Sequence, residues 1–167
     1  MNTRSERMSG SESENPSVKL VVVADLGHLK AYRLEERSEF SRPRLELIQA
    51  VETTETHHVR DDLTDSIGRF RKEPAIPGAQ SDGEEHNLEL ERQNRTVKML
   101  AEVVSELIAQ EHAANWYFAA DARLNQSLLD EIDPVTRTKI QKNIVANLSK
   151  LDPEELVERF CPFKHAA

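Results

Sequence analysis

The sequence predicts an α/β domain: a mixed five-stranded sheet in the order β-β-β-α-β-α-β-α, with flanking helices and a long loop before the main helix. Three observations carry this reading. A valine-rich run lies near the start. A glycine-containing stretch, Pro77-Gly78-Ala79-Gln80-Ser81, sits just ahead of a long amphipathic segment, and apolar strand and helix patterns alternate through the second half. With 167 residues the chain is of ordinary length for one domain and can bury a real core.

Residues 18–25 (VKLVVVAD) hold four valines and a leucine, a short apolar run that suits a buried strand at the centre of the sheet. Gly27 stands where a tight turn is needed, so residues 28–34 should return as the second arm of a hairpin. A third strand is expected around residues 45–51, where Leu45, Leu47 and Gln49 alternate with Glu46, Ile48 and Ala50, bounded by Pro43 and by Glu52-Thr53-Thr54.

Residues 55–86 have no sustained periodicity, and Gly68, Pro74, Pro77, Gly78 and Gly83 accumulate there, which predicts a long loop; loops of this length are commonly functional or disordered. Residues 88–110 give the clearest helical signal, with Leu90, Val97, Leu100, Val104, Leu107 and Ile108 on one face. Residues 115–120 (NWYFAA) suit a strand after a helical crossover. Asp121 can cap a helix with Leu124, Leu128, Leu129 and Ile132 as its buried stripe, ending before Pro134. Residues 135–151 fit either periodicity through Ile140, Ile144 and Leu148, and a last strand is the choice that completes the second αβ unit. Asp152-Pro153-Glu154-Glu155 is a helix start, with Asp at the cap, Pro at the first helical position and Glu at the third. Leu156, Val157 and Phe160 dock this helix. The expected organisation is a disordered tail over residues 1–17, one domain over 18–160 and a C-terminal tail over 161–167.

Composition narrows the classes of function. No apolar run reaches the ~18 to 20 residues of a membrane-spanning helix, and residues 1–17 lack the apolar stretch of a secretory signal. Cys161 is the only cysteine, which excludes an internal disulfide and fits the cytoplasm. A formal charge of −8 argues against broad attraction to nucleic acid, leaving only a local basic patch for that purpose. Arg69, Arg71 and Lys72 form the densest such patch, behind Gly68 and partly offset by Asp61, Asp62 and Asp65; Gly68 and Gly78 are expected to shape the loop.

Catalytic readings are thinner. His57 and His58 with Asp61 and Asp62 are metal-ligand types, but adjacent histidines on a strand point to opposite sides. His28 near Asp25 could form an acid/base pair at a strand end, and Cys161 with His165 a thiol pair, although nothing nearby orients that imidazole. Neither a G-x-x-x-x-G-K-[ST] loop nor a G-x-S-x-G elbow is present. No catalytic residue, metal or cofactor is expected.

The run KLVVVAD with its hairpin, the element Asp65-Ser66-Ile67-Gly68-Arg69-Phe70, the segment NWYFAA with Leu124 and Leu128-Leu129, and the closing residues 144–151 together resemble the bacterial host attachment protein family, over residues 18–160. That family is similar in turn to the middle domain of archaeo-eukaryotic peptide-chain release factors and of Pelota. In the release factors a Gly-Gly-Gln loop precedes the long helix, and the resemblance places Gln80 at the equivalent point. Ala79 replaces a glycine there and its Cβ restricts positive φ, which counts against peptide release through Gln80. What the resemblance implies is a noncatalytic protein that binds the ribosome, its RNA or a translation-associated partner through residues 60–82. The alternative is an interaction or regulatory module in cell attachment or stress response, meeting a protein partner without ribosome contact.

Overall fold

Three successive valines, Val21, Val22 and Val23, are fully buried at the centre of the sheet, because β1 (Lys19–Ala24) is covered on both faces. The computed structural model describes residues 17–36, 41–53 and 82–162. β1 pairs antiparallel with β2 (His28–Glu35), which pairs antiparallel with β3 (Arg44–Glu52). On its other side β1 pairs parallel with β4 (Asn115–Ala120), beside which lies β5 (Ile140–Val145), also parallel. The sheet order is β3-β2-β1-β4-β5, the mixed five-stranded sheet that the sequence predicts.

Side-chain alternation along β1 builds a core on each face. Leu20, Val22 and Ala24 join Trp116 and Phe118 of β4 beneath two helices, α1 (Asp82–Gln110) and α2 (Ala122–Glu131). Val21 and Val23 turn the other way, onto Leu156, Val157 and Phe160 of α4 (Pro153–Phe160). Each large side chain withdrawn from water here contributes ~1.5 to 3 kcal/mol. Between α2 and β5 the chain forms one further short helix, α3 (Pro134–Thr138).

Local chemistry sets the ends of these helices. The Asp121 carboxylate accepts the N–H groups of Arg123 and Leu124 at the start of α2, and Asp133 accepts that of Thr136 in α3. Asp152 and Glu155 form a reciprocal capping box at α4, as the sequence predicts. α1 ends where His112 takes a φ of 50°, the left-handed turn that closes many helices.

Several expectations need correction. The helix expected over residues 88–110 begins at Asp82, so residues 82–86 leave the expected loop and become helix. Leu90, expected on the buried face, is 41% exposed because that part of α1 lies beyond the sheet. Pro134 does not merely end a helix: with Asp133 as cap it occupies the first turn of α3, where its missing N–H costs nothing. The last strand is limited to Ile140–Val145. Ile140 and Ile144 pack in opposite cores, because the register shifts between Trp116, paired with Ile140, and Tyr117, paired with Lys142. Gln141 is the extra residue, and it reverses the facing of the rest of the strand. A similar shift in β3 makes Ile48 the extra residue, between Gln49, paired with Ala31, and Leu47, paired with Tyr32; Leu47 is 53% exposed and Leu45, two residues before it, is buried.

Candidate functional site

β1, β4 and β5 run parallel, and the chain leaving their carboxyl ends carries Asp25, Asp121 and the turn from Ala146 to Ser149. Crevices at such strand ends are where open α/β sheets commonly bind ligands. Asp25 is the centre of the polar groups there. Its Oδ1 accepts the backbone N–H of Gly27 at 2.8 Å and of His28 at 2.7 Å, and lies 3.3 Å from His28 Nδ1. Its Oδ2 accepts the hydroxyl of Ser149. Partial burial pushes this carboxyl up, but the bonds from Ser149, Gly27 and His28 outweigh it and hold the group below the usual carboxylate range.

Neighbouring bonds tie the same turn to the rest of the sheet. Lys30 Nζ donates to the Ser149 carbonyl at 3.0 Å, Thr53 N–H donates to the Gly27 carbonyl at 2.9 Å, and the Thr53 hydroxyl donates to the Leu26 carbonyl. Within β5, Asn143, paired with Phe118, exchanges amide hydrogen bonds with Asn125 of α2 at 2.7 and 2.8 Å.

The residue types of a hydrolytic triad are thus gathered, but in the wrong order. Nucleophile activation needs serine on histidine and histidine on carboxylate. Here the carboxylate stands between the other two, and its lowered pKa makes it a weak base. The arrangement is a polar clamp joining the β1–β2 turn to the loop after β5. Among the described residues, no group of three His, Cys, Asp or Glu side chains is arranged to hold a metal ion. Cys161 is half-buried after α4, and burial pushes its thiol up, which keeps it protonated at neutral pH.

Gly68, Arg69, Arg71, Lys72, Gly78 and Gln80 lie outside the described residues, as do His57, His58, Asp61, Asp62 and His165. The helix into which that segment leads is described. From residue 83 to residue 95 α1 is exposed apart from the half-buried Gln93, and burial begins at Thr96 and Val97. At roughly 1.5 Å of rise per residue, α1 starts about 20 Å out from its first buried turn.

The family model described as "Protein required for attachment to host cells" matches residues 20–160, from β1 through the end of α4. The chain belongs to this family. No curated protein matches it. As a member of the host-attachment family the protein carries its signature across the whole sheet and across the segment that joins β3 to α1. Among the described residues, no helix is long and apolar enough to cross a membrane.

The clamp escaped sequence reasoning in part. Asp25 and His28 stood out as a strand-end pair, but Ser149, Asn143 and Asn125 carried no signal, since their partners lie 18 to 124 residues away. Asn147, whose Oδ1 accepts the Ser149 N–H at 3.1 Å, stands just after an apolar run as Asp25 does, and that placement is a local hint.

Proposed function

We propose that this host-attachment protein is a noncatalytic, cytoplasmic binding module that presents residues 60–82 to the ribosome or a translation-associated partner. In this reading Arg69, Arg71 and Lys72 supply charge for phosphates, Gly68 and Gly78 shape the chain, and Gln80 lies near the contact. The observation that carries it is the exposed start of α1, which sets the entry of this segment about 20 Å beyond the helix's buried part. A large partner can reach the start of such a helix without meeting the sheet. The resemblance to the release-factor middle domain, in which a glycine-rich loop precedes a long helix, supports the same use. Co-sedimentation of the purified protein with ribosomes at low salt tests it, and absence from the ribosomal pellet would count against it.

The acid-rich start of α1 favours a second reading. Over residues 84–95, Glu84, Glu85, Glu89 and Glu91 outnumber Arg92 and Arg95. That surface suits a protein partner better than RNA. A pull-down that returns a defined protein without ribosomal proteins would support this second reading over the first.

A further inference from the structure

A groove of about 980 Å³ runs between the start of β3 and α4, on a different part of the molecule from α1. This is at the upper end of the ~300 to 1,000 Å³ usual for ligand clefts. Its floor includes Leu45 and Val157, both buried. The walls carry opposite charge. Arg42 and Arg44, two residues apart, line one, while Glu154 and Glu158, one helical turn apart on α4, line the other. All four are exposed, and among the described residues no ion pair joins one wall to the other. Asp152, at the same end of α4, is engaged in the capping box and leaves the two glutamates as the free anions of that wall.

We infer that this groove binds an extended peptide segment of a partner protein, one carrying an acidic and a basic residue on either side of an apolar one. The acidic residue meets Arg42 and Arg44, the basic residue meets Glu154 and Glu158, and the apolar side chain covers Leu45 and Val157. Charge complementarity selects this occupant: a uniformly anionic ligand would be repelled by the α4 wall, and a uniformly cationic one by the arginines. Position favours an extended backbone, since the groove opens at the beginning of β3, one of the two edge strands of the sheet. Edge strands are where extended peptides add.

Fluorescence anisotropy on the full-length protein tests this, using fluorescein-labelled peptides in which one Asp and one Lys are separated by one to four residues including a Leu. Matching peptides with Asn and Gln in place of the charges serve as controls. At least one charged peptide should bind saturably, with affinity about two- to fivefold weaker for each of two variants, Arg42→Gln/Arg44→Gln and Glu154→Gln/Glu158→Gln, and weaker still for its neutral counterpart, which loses both contacts. The substituted side chains are exposed, so circular dichroism should show both variants folded. Failure of every charged peptide to bind, or binding that neither variant weakens, would overturn the proposal.

Discussion

The Ser149 hydroxyl donates to the Asp25 carboxylate across 124 residues of chain, joining the exit of the first strand to the loop after the last. This bond closes the carboxyl end of the parallel part of the sheet, and it makes Asp25 a residue whose ionisation supports the fold.

Replacing Asp25 with Asn should lower stability by ~1.5 to 3 kcal/mol, because the partly buried donors lose a charged acceptor. The sign of the pH dependence is set by the lowered pKa. The stabilisation is present above the unfolded-state pKa of ~3.9 and is lost as pH falls through the lower folded-state value. Wild-type stability should therefore decline on acidification below about pH 4 by more than that of Asp25→Asn. Urea unfolding at a series of pH values, monitored by the fluorescence of Trp116, measures both; Trp116 is the single tryptophan and is fully buried.

Trp116 Nε1 donates to the Thr136 carbonyl at 2.8 Å, a bond that ties the core directly to α3. Trp116→Phe should cost ~1 to 3 kcal/mol through the lost hydrogen bond and the smaller ring, while the Thr136 carbonyl keeps the Lys139 N–H as a donor at 3.2 Å. Thermal unfolding by circular dichroism reads the loss, and amide exchange in α3 should rise more than in α4.

Asn125 and Asn143 satisfy each other, so their substitutions should not add. Asn125→Ala and Asn143→Ala should each cost ~1 to 2 kcal/mol, and the double variant little more than either alone. A double-mutant cycle by chemical denaturation checks this; full additivity would mean that the two amides are independent.

Leu90 and Val97 are seven apart on the same face of α1, yet only Val97 is buried. Leu90→Gln should change stability by no more than ~0.5 kcal/mol, whereas Val97→Ala should cost ~1 to 2.5 kcal/mol. Equal losses in the two unfolding curves would mean that the start of α1 is packed rather than projecting.

These residues also mark how far the sequence could be read. The valines of β1 announced a central strand because a strand covered on both faces must be apolar throughout, and Asp121 and Asp152 announced helix starts because capping is local chemistry. The start of α1 was hidden because a helix turn exposed on all sides has no amphipathic period to detect. The end of α2 before Pro134 was legible, but the short helix that Pro134 opens was not, because Asp133 and Thr136 are needed together to mark it. The bulges beside Ile48 and Gln141 were illegible because a single inserted residue reverses a strand's facing without altering its composition. Asp25 could be suspected from its neighbour His28, but Ser149 is brought to it by the folded sheet alone. Arg69, Arg71, Lys72 and Gln80 stand outside the described residues, so their part in the site rests on the sequence.

Ribosome co-sedimentation across a salt series, with wild type beside an Arg69→Ala, Arg71→Ala, Lys72→Ala triple variant, tests the functional proposal most directly. If these side chains contact ribosomal RNA, the logarithm of the wild-type binding constant should fall linearly with the logarithm of salt concentration. The triple variant should bind more weakly, with a slope smaller by about 2 to 3, close to one per phosphate contact removed. Failure of the wild type to bind at any salt concentration, or binding with the same affinity and slope in the variant, would contradict the account and turn the search to protein partners.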